Sequence, residues 1–258
     1  MGLIVNADDF GKDHRVNKAI TECFNRGLIN RTTVMVNMPG VYDAIELATK
    51  NGFIEHVGLH INLTEGTPIS EPIKSNPYFC DSDGNYNAAF YHDIKLRLHM
   101  DEKSIFDIEQ EIEAQLKVYG ELGFNLYHLD SHHHAHTNFP VYKALKNLSG
   151  VYEFSSIRLS RNLYKDQNIL KTTYKKYYNK KIGKICSNTT DYFGSFKDAA
   201  TYFIYPNAQN SLQSFGEFCN KYDLEIMVHP MYTEDGILSD GDVPFEKEKE
   251  LYEAFKEM

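Results

Sequence analysis

The chain has 258 residues, with 27 Lys plus Arg and 36 Asp plus Glu, so its formal net charge is −9 with His neutral. This charge disfavours nucleic acid and anionic membranes as partners, because basic side chains that neutralise phosphate supply most of that affinity. The hydrophobic content of 42% and charged content of 24% are those of a globular protein and exclude extensive disorder.

The length and the N-terminal composition predict the number of domains and the cellular compartment of the protein. An α/β barrel commonly uses roughly 250 residues as one unit, so we expect a single domain over 1–258. No stretch reaches the roughly 20 apolar residues of a membrane span, and the start MGLIVNADDFG lacks the basic and long apolar segments of a signal peptide. The four cysteines form no CxxC pair. These features predict a cytoplasmic protein with reduced cysteines.

Strand and helix patterns alternate in the first part of the chain. Apolar runs predict strands at 2–7, 32–37 and 56–63. Apolar residues at helical spacing predict a helix from about 16 to 27 and another at 42–50. This βαβαβ order with short connections is typical of a parallel sheet or barrel covered by helices.

The remainder begins with a long loop excursion at about 64–90, rich in Gly, Pro, Ser and Asn, which we expect to contain a small hairpin at Asp83-Gly84. The elements predicted after it are a helix at 104–122, a strand at 126–130, the segment SHHHAH, a helix opening at Pro140, a strand at 155–159, a solvated helix or loop at 170–184, a helix at 212–222, a closing strand at 224–229 and a final helix at 246–256.

Polar residues that could bind a metal stand in or directly after four of the predicted strands. They are Asp8 with Asp9, His60, Asp130 with the histidines of 132–136, and His229. In parallel α/β architectures the active site gathers at the C-terminal ends of the strands, so we expect these residues to converge. Taken singly, each also has a structural explanation: a helix cap for the aspartates, a core position for His60, and a turn for Asp130 or His229.

The four histidines His132, His133, His134 and His136 favour metal binding, because packing alone gains nothing from imidazoles in one loop. Alternate residues of an extended loop face opposite ways, so His133 is expected to point away from the other three. Oxygen and nitrogen donors without thiolate suit Zn, Mn, Co or Mg, and the composition does not choose among these metals.

Five motifs in this order resemble the YdjC/ChbG family of carbohydrate deacetylases: NADDFG at 6–11, VGLHINLT at 57–64, HLDSHHHAH at 128–136, TDYFG at 190–194 and MVHP at 227–230. The resemblance implies an α/β fold, a TIM-like (β/α) barrel with fewer or distorted strands. It also implies one divalent metal ion, Mg or Zn, and often a homodimer. The implied activity removes acetyl from N-acetylated sugars, such as chitooligosaccharides, giving acetate and a free amino sugar.

By position, the resemblance places the metal on Asp9, His60 and His132, with Asp8 as the base. An amide nitrogen is a poor leaving group unless it is protonated, so the reaction also requires an acid, and we assign this role to His229.

Three further residues are candidates for supporting the metal ligands or contacting substrate. Asp130 would orient a histidine through its second ring nitrogen. His134 is expected near the substrate, and Arg158 would orient Asp8 or bind a substrate hydroxyl. The loop at 64–90 and the lysine-rich stretch at 170–184 match no motif of the family.

Two alternatives stay open at this stage. A metal-dependent phosphoesterase or sugar isomerase could use the same barrel, because a fold does not determine a function. Phosphate would favour basic residues beside the metal, and the motif loops contain few. A non-catalytic sugar- or metal-binding protein is the other alternative, although binding alone does not need a second buried acid beside Asp9.

Overall fold

In a computed structural model of the chain, the described residues are 2–163, 168–203, 212–241 and 243–244. Within these ranges, seven strands form the main sheet and three form a small one. The main strands are β1 Leu3–Phe10, β2 Arg31–Val34, β3 Val57–Ile61, β4 His128–Ser131, β5 Ser156–Ile157, β6 Tyr192–Ser195 and β7 Leu224–Val228. The small antiparallel sheet contains β8 Pro230–Tyr232, β9 Leu238–Asp240 and β10 Val243–Pro244.

Helices connect the strands and cover the sheet. Their bounds are α1 His14–Asn25, α2 Val41–Lys50, α3 Glu71–Lys74, α4 Ala89–His92, α5 Ile94–Leu98, α6 Glu102–Glu121, α7 Phe139–Leu148, α8 Ile169–Ile182, α9 Phe196–Phe203 and α10 Leu212–Lys221. In α6 the Asp101 side chain accepts a hydrogen bond from the Ser104 N–H and caps the first turn. Ile108 and Ile112 of the same helix are completely buried, as their helical spacing predicts.

The main sheet is parallel throughout, in the order β5-β4-β3-β2-β1-β7-β6, and it curls until its two edges approach each other. The main-chain N–H groups of Asn162 and Leu163, which follow β5, donate to the carbonyl of Phe193 in β6 at 3.0 and 3.1 Å. The Arg158 guanidinium lies 4.9 Å from the Phe193 ring centroid. The architecture is a half-barrel, which confirms the predicted TIM-like barrel with fewer or distorted strands.

The inner side of this curled sheet carries polar and charged side chains. Five of the seven strands or their ends contribute buried polar residues to this side: Asn6, Thr33, Asp130, Arg158 and Glu225 are all almost fully buried. Buried charges are stable only when they are paired and hydrogen-bonded, so these side chains must satisfy one another. The interior of the half-barrel is therefore a polar network with the apolar core outside it.

Most predicted elements are present, with shifted bounds. The sequence patterns missed β6, the short helices α4 and α5, α9 and the small sheet. For β6 the reason is that a four-residue edge strand containing Gly194 has no clear alternation. The excursion at 64–90 includes α3 and reverses at an antiparallel bridge between Cys80 and Tyr86. The stretch at 170–184 falls largely in α8. The helix predicted at 246–256 lies outside the described residues.

No helix in the described part of the chain is long and apolar enough to cross a membrane.

Candidate active site

Asp8 and Asp9 both reach the interior because β1 contains a bulge. In the pairing with β2, Ala7 aligns with Thr32 and Phe10 aligns with Val34, so the two aspartates oppose Thr33 alone. Asp9 adopts a left-handed φ of 68°, which is rare for a residue other than glycine. In a regular strand two adjacent side chains would face opposite sides of the sheet. The bulge removes this alternation and delivers two carboxylates to one site.

Asp9, His60 and His132 form a compact group of possible metal ligands. Asp9 Oδ1 lies 3.2 Å from His60 Nε2 and 2.8 Å from His132 Nδ1. Two donors that bind one ion at about 2.1 Å lie about 3 to 3.5 Å apart. The 3.2 Å separation lies within this range and the 2.8 Å separation slightly below it, so both are close to those of a shared divalent ion. The structure thus brings together the three residues that the sequence resemblance assigns to the metal.

His60 is held from behind by Asp130. Its Nδ1 is 2.7 Å from Asp130 Oδ1, which leaves Nε2 facing Asp9. A carboxylate on the second ring nitrogen is the usual support of a histidine that binds a metal. Burial disfavours the charged ring, but the Asp130 carboxylate outweighs burial and raises the pKa of His60 to about 10. A metal ion bound at Nε2 would replace that proton.

Arg158 lies at the centre of the network, completely buried. Its Nη1 and Nη2 donate to the two oxygens of Asp8 at 2.6 and 2.7 Å, Nη2 lies 2.7 Å from Asp130 Oδ2, and Nε donates to Glu225 at 2.6 Å. Burial opposes ionisation of Asp8, but Arg158 outweighs it and holds the pKa of Asp8 well below its ordinary value. Asp8 is therefore ionised at neutral pH, as a proton acceptor must be.

The histidine loop is not extended. Residues His132–Thr137 form a 3-10 helix in which His133 and His134 have left-handed φ of 52° and 53°. The expectation that neighbouring histidines of an extended loop face opposite ways is therefore wrong, because the positive φ of His133 and His134 redirects their side chains. The exposed His133 ring stacks on Tyr91 at 4.5 Å.

The other two histidines of the loop do not join the Asp9–His60–His132 group among the described residues. His136 is buried, and its Nδ1 lies 2.6 Å from Ser131 Oγ. Burial lowers the pKa of His134 well below its usual range, and its Nε2 lies 3.4 Å from Arg161 Nη2. His134 faces a cavity beside the site, whereas His136 is a packing residue.

His229 directly follows β7 and lies near Asp8. Its Nε2 is 3.9 Å from Asp8 Oδ2, and its ring is 45% exposed. The Asp240 carboxylate accepts a hydrogen bond of 2.6 Å from the His229 main-chain N–H. An imidazole that is accessible and held near Asp8 has the placement that a proton donor to substrate requires.

A cavity of about 670 Å³ opens next to the histidine loop. His133, His134 and Phe193 line it, together with Tyr91 and Tyr174. Cavities of this volume are typical of sites for small ligands, with aromatic walls and a few polar groups. The cavity is therefore the candidate substrate site. His133 and His134, which follow His132 in the chain, line it, whereas the proposed metal ligands themselves do not.

Sequence reasoning missed several polar residues of the site. The ion pairs of the site also include Glu65, Lys12, Arg31 and Glu225. Arg31 Nη2 lies 2.9 Å from Glu225 Oε2. Glu225 was detectable, because it is a lone acid inside the apolar run LEIMV of β7. Glu65 stands in a polar loop where a functional acid has no distinguishing pattern.

The Glu225 ion pairs make stability depend on pH. Burial opposes ionisation, but Arg31 and Arg158 outweigh it and lower the pKa of Glu225 from 4.5 to about 2. The stabilisation is complete above pH 4.5 and is lost as the pH falls towards 2. We expect Glu225→Gln to be less stable than the wild type at pH 7, with a difference in unfolding free energy that narrows below pH 4.5. Urea unfolding of both proteins at several pH values measures this difference. A difference in unfolding free energy that does not change with pH would contradict the prediction.

The chain matches the family described as YdjC-like protein over residues 2–256. The carbohydrate deacetylase of Thermoanaerobacter pseudethanolicus is 33% identical over 243 residues, covering 92% of this chain and 84% of that protein. The carbohydrate deacetylase of Clostridium beijerinckii is 31% identical over 251 residues, covering 97% and 90%.

A solved structure from Enterococcus faecalis V583, provisionally named a cellobiose-phosphate cleavage protein, has a TM-score of 0.65 at 23% identity. It covers 98% of this chain and 90% of that chain, and at this identity it supports the fold alone. The family match spans nearly the whole chain and confirms the resemblance carried by the five motifs. The chain belongs to the YdjC-like protein family.

Proposed function

We propose that this protein is a metal-dependent carbohydrate N-deacetylase that releases acetate from an N-acetylated sugar. The observation that carries the proposal is the convergence of Asp9, His60 and His132, at separations suited to one divalent ion, beside Asp8 and His229. The names of the curated relatives support the reaction class. Nitrogen and oxygen ligands of this type suit Mg or Zn.

When bound, the divalent ion supplies Lewis-acid activation of water and of the acetamide carbonyl. Asp8 accepts the proton of the attacking water, and Arg158 keeps this carboxylate ionised and in place. His229 then donates a proton from Nε2 to the departing nitrogen, so that the amino sugar leaves as a neutral amine. The 3.9 Å between His229 Nε2 and Asp8 Oδ2 lets both groups face one substrate bond.

The cavity beside the ligands would hold the sugar, with Tyr91, Tyr174 and Phe193 as apolar walls. A chitooligosaccharide such as N,N'-diacetylchitobiose is the substrate that we propose. The single domain over 1–258, the cytoplasmic location and the homodimer stay predictions.

The experiment that tests the function is acetate release from N,N'-diacetylchitobiose, measured with and without a chelator. We expect acetate and free amine in equal amounts, loss of both after chelation, and recovery when Mg²⁺ or Zn²⁺ is added back. A chain that binds the sugar without releasing acetate, under any of these metals, would contradict the proposal and favour a binding protein.

A phosphoesterase is the second candidate, and one observation favours it. Arg97, Arg161, Lys171 and Lys175 line the cavity, although the motif loops themselves contain few basic residues. Basic side chains beside a metal suit a phosphate substrate. Release of phosphate from p-nitrophenyl phosphate, faster than release of acetate from the sugar amide, would support this alternative.

Removing a proposed ligand should remove the metal. We expect His60→Ala and His132→Ala to lose bound divalent metal and activity together while the fold survives, because a site at the strand ends contributes little to the apolar core. Elemental analysis and circular dichroism of the purified variants measure this. His136→Ala is the control and should keep the metal. Full metal occupancy in His132→Ala would exclude this ligand set.

The acid should matter only when the leaving group needs a proton. We expect His229→Ala to lose roughly 10²-fold or more in kcat on the amide, the usual scale of general acid catalysis, and much less on an activated aryl acetate. Steady-state rates on both substrates measure the asymmetry. Equal losses on the two substrates would mean that His229 holds the site together instead.

A further inference from the structure

Glu65 lies against His132 on the far side of the ring from Asp9. Glu65 Oε2 is 3.0 Å from His132 Nε2, whereas Nδ1 of the same ring faces Asp9 Oδ1 at 2.8 Å. His132 Nε2 is buried and lacks an aligned hydrogen-bond partner within the described ranges. The two ring nitrogens therefore face two carboxylates, one in the ligand group and one behind it.

His60 shows the same arrangement with its nitrogens exchanged. Its Nε2 faces Asp9 Oδ1 at 3.2 Å, and its Nδ1 lies 2.7 Å from Asp130 Oδ1. A carboxylate that accepts the second N–H of a histidine ligand determines which nitrogen carries the proton and how the ring is turned. By position Glu65 stands to His132 as Asp130 stands to His60, with a hydrogen bond in the His60–Asp130 pair and an ion-pair contact of 3.0 Å in the His132–Glu65 pair.

Hydrogen bonds from a buried residue hold the main chain of Glu65. The completely buried Asn62 accepts from the Glu65 N–H at 3.1 Å and donates to the Glu65 carbonyl at 2.7 Å. Gln115 in turn bonds both main-chain polar groups of Asn62, at 3.0 and 2.7 Å. Lys12 Nζ donates to Glu65 Oε2 at 2.8 Å. Main chain and carboxylate are thus positioned by separate contacts.

We propose that Glu65 is a positioning residue, whose carboxylate accepts the Nε2–H of His132 and turns Nδ1 of that ring towards the metal. Glu65 acts through His132, since it lies outside the Asp9–His60–His132 group. Lys12 holds the Glu65 carboxylate in place through its hydrogen bond, but an ammonium group cannot itself accept the N–H of His132. The inference rests on the proposed metal centre and is independent of which bond the enzyme cleaves.

The test is Mn²⁺ affinity of the purified metal-free chain, measured by titration calorimetry. We expect Glu65→Ala to raise the Mn²⁺ Kd roughly 10- to 100-fold, the usual effect of removing the group behind a ligand. Glu65→Gln should recover most of the affinity, because its amide oxygen still accepts the N–H. Lys12→Met should weaken binding less than Glu65→Ala does. Glu71→Ala is the control, since that side chain is 84% exposed and pairs with Lys74.

The absorption spectrum of the Co²⁺ form separates support from ligation. An unchanged coordination number in Glu65→Ala supports the proposal, and loss of a ligand overturns it. An unchanged Mn²⁺ Kd in Glu65→Ala, or an equal loss in Lys12→Met, also overturns it, because the contact would then only join two loops.

Failure of the proposed function is distinguishable from failure of this inference. A wild-type chain that binds no divalent metal overturns both the metal centre and the role of Glu65. A wild-type chain that binds Mn²⁺ with the expected ranking of variants, yet releases no acetate, overturns the deacetylase function and supports the role of Glu65.

Discussion

Asp8→Asn is expected to abolish most turnover while metal remains bound. An amide does not accept the proton of the attacking water, so we expect kcat to fall roughly 10²- to 10⁴-fold, the contribution of a general base. Metal occupancy should persist, because Asp8 is outside the Asp9–His60–His132 group. Acetate release and elemental analysis on the same preparation measure the two properties.

The matched control for this variant is Asp13→Asn. Asp13 follows the same motif and caps α1 through its side chain, and Asn caps a helix equally well. It changes the charge by one unit without touching the site. Loss of metal from Asp8→Asn, in parallel with activity, would show that Asp8 binds the ion and is not the base.

Arg158→Met should cause the largest loss of stability of any single change in the site. It leaves the buried carboxylates of Asp8, Asp130 and Glu225 without their shared cation. Breaking one buried ion pair typically costs about 3 to 5 kcal/mol, so we expect at least about 4 kcal/mol in the free energy of unfolding. Arg158→Lys should recover only part, since an ammonium cannot donate in the two-pronged geometry seen on Asp8.

The sign of the pH dependence tests the cause of that loss. Without Arg158 the pKa values of the Asp8 and Glu225 carboxyl groups rise in the folded state. Protonation of these two groups then reduces the destabilisation of the variant as the pH falls. The difference in unfolding free energy between wild type and Arg158→Met should therefore narrow on acidification. Urea unfolding at pH 7 and pH 5 measures this, with Arg161→Met, 41% exposed, as the control. A loss of unfolding free energy in Arg158→Met as small as that in Arg161→Met would contradict the stabilising role of the buried ion-pair network.

Local patterns determined much of the architecture. Apolar runs and helical spacing identified the βαβαβ order and the strands that carry the candidate residues. Burial of one face of a helix leaves a readable period, and burial of both faces of a parallel strand leaves a continuous apolar run. The rule that active sites gather at the C-terminal ends of parallel strands then predicted the approach of Asp9, His60 and His132, which the structure shows. The five motifs identified the family.

Tertiary structure alone decided how the charges pair. The β1 bulge that turns Asp8 and Asp9 to one side depends on register with β2, and no local pattern specifies that register. Arg158 meets Asp8 across 150 residues of sequence, and this contact exists only because the sheet curls until its edges approach. Glu65 stands behind His132 because Asn62 and Gln115, 53 positions apart, hold its loop. Periodicity records whether a side chain is buried, whereas its ionic partner is selected by the packing of distant strands.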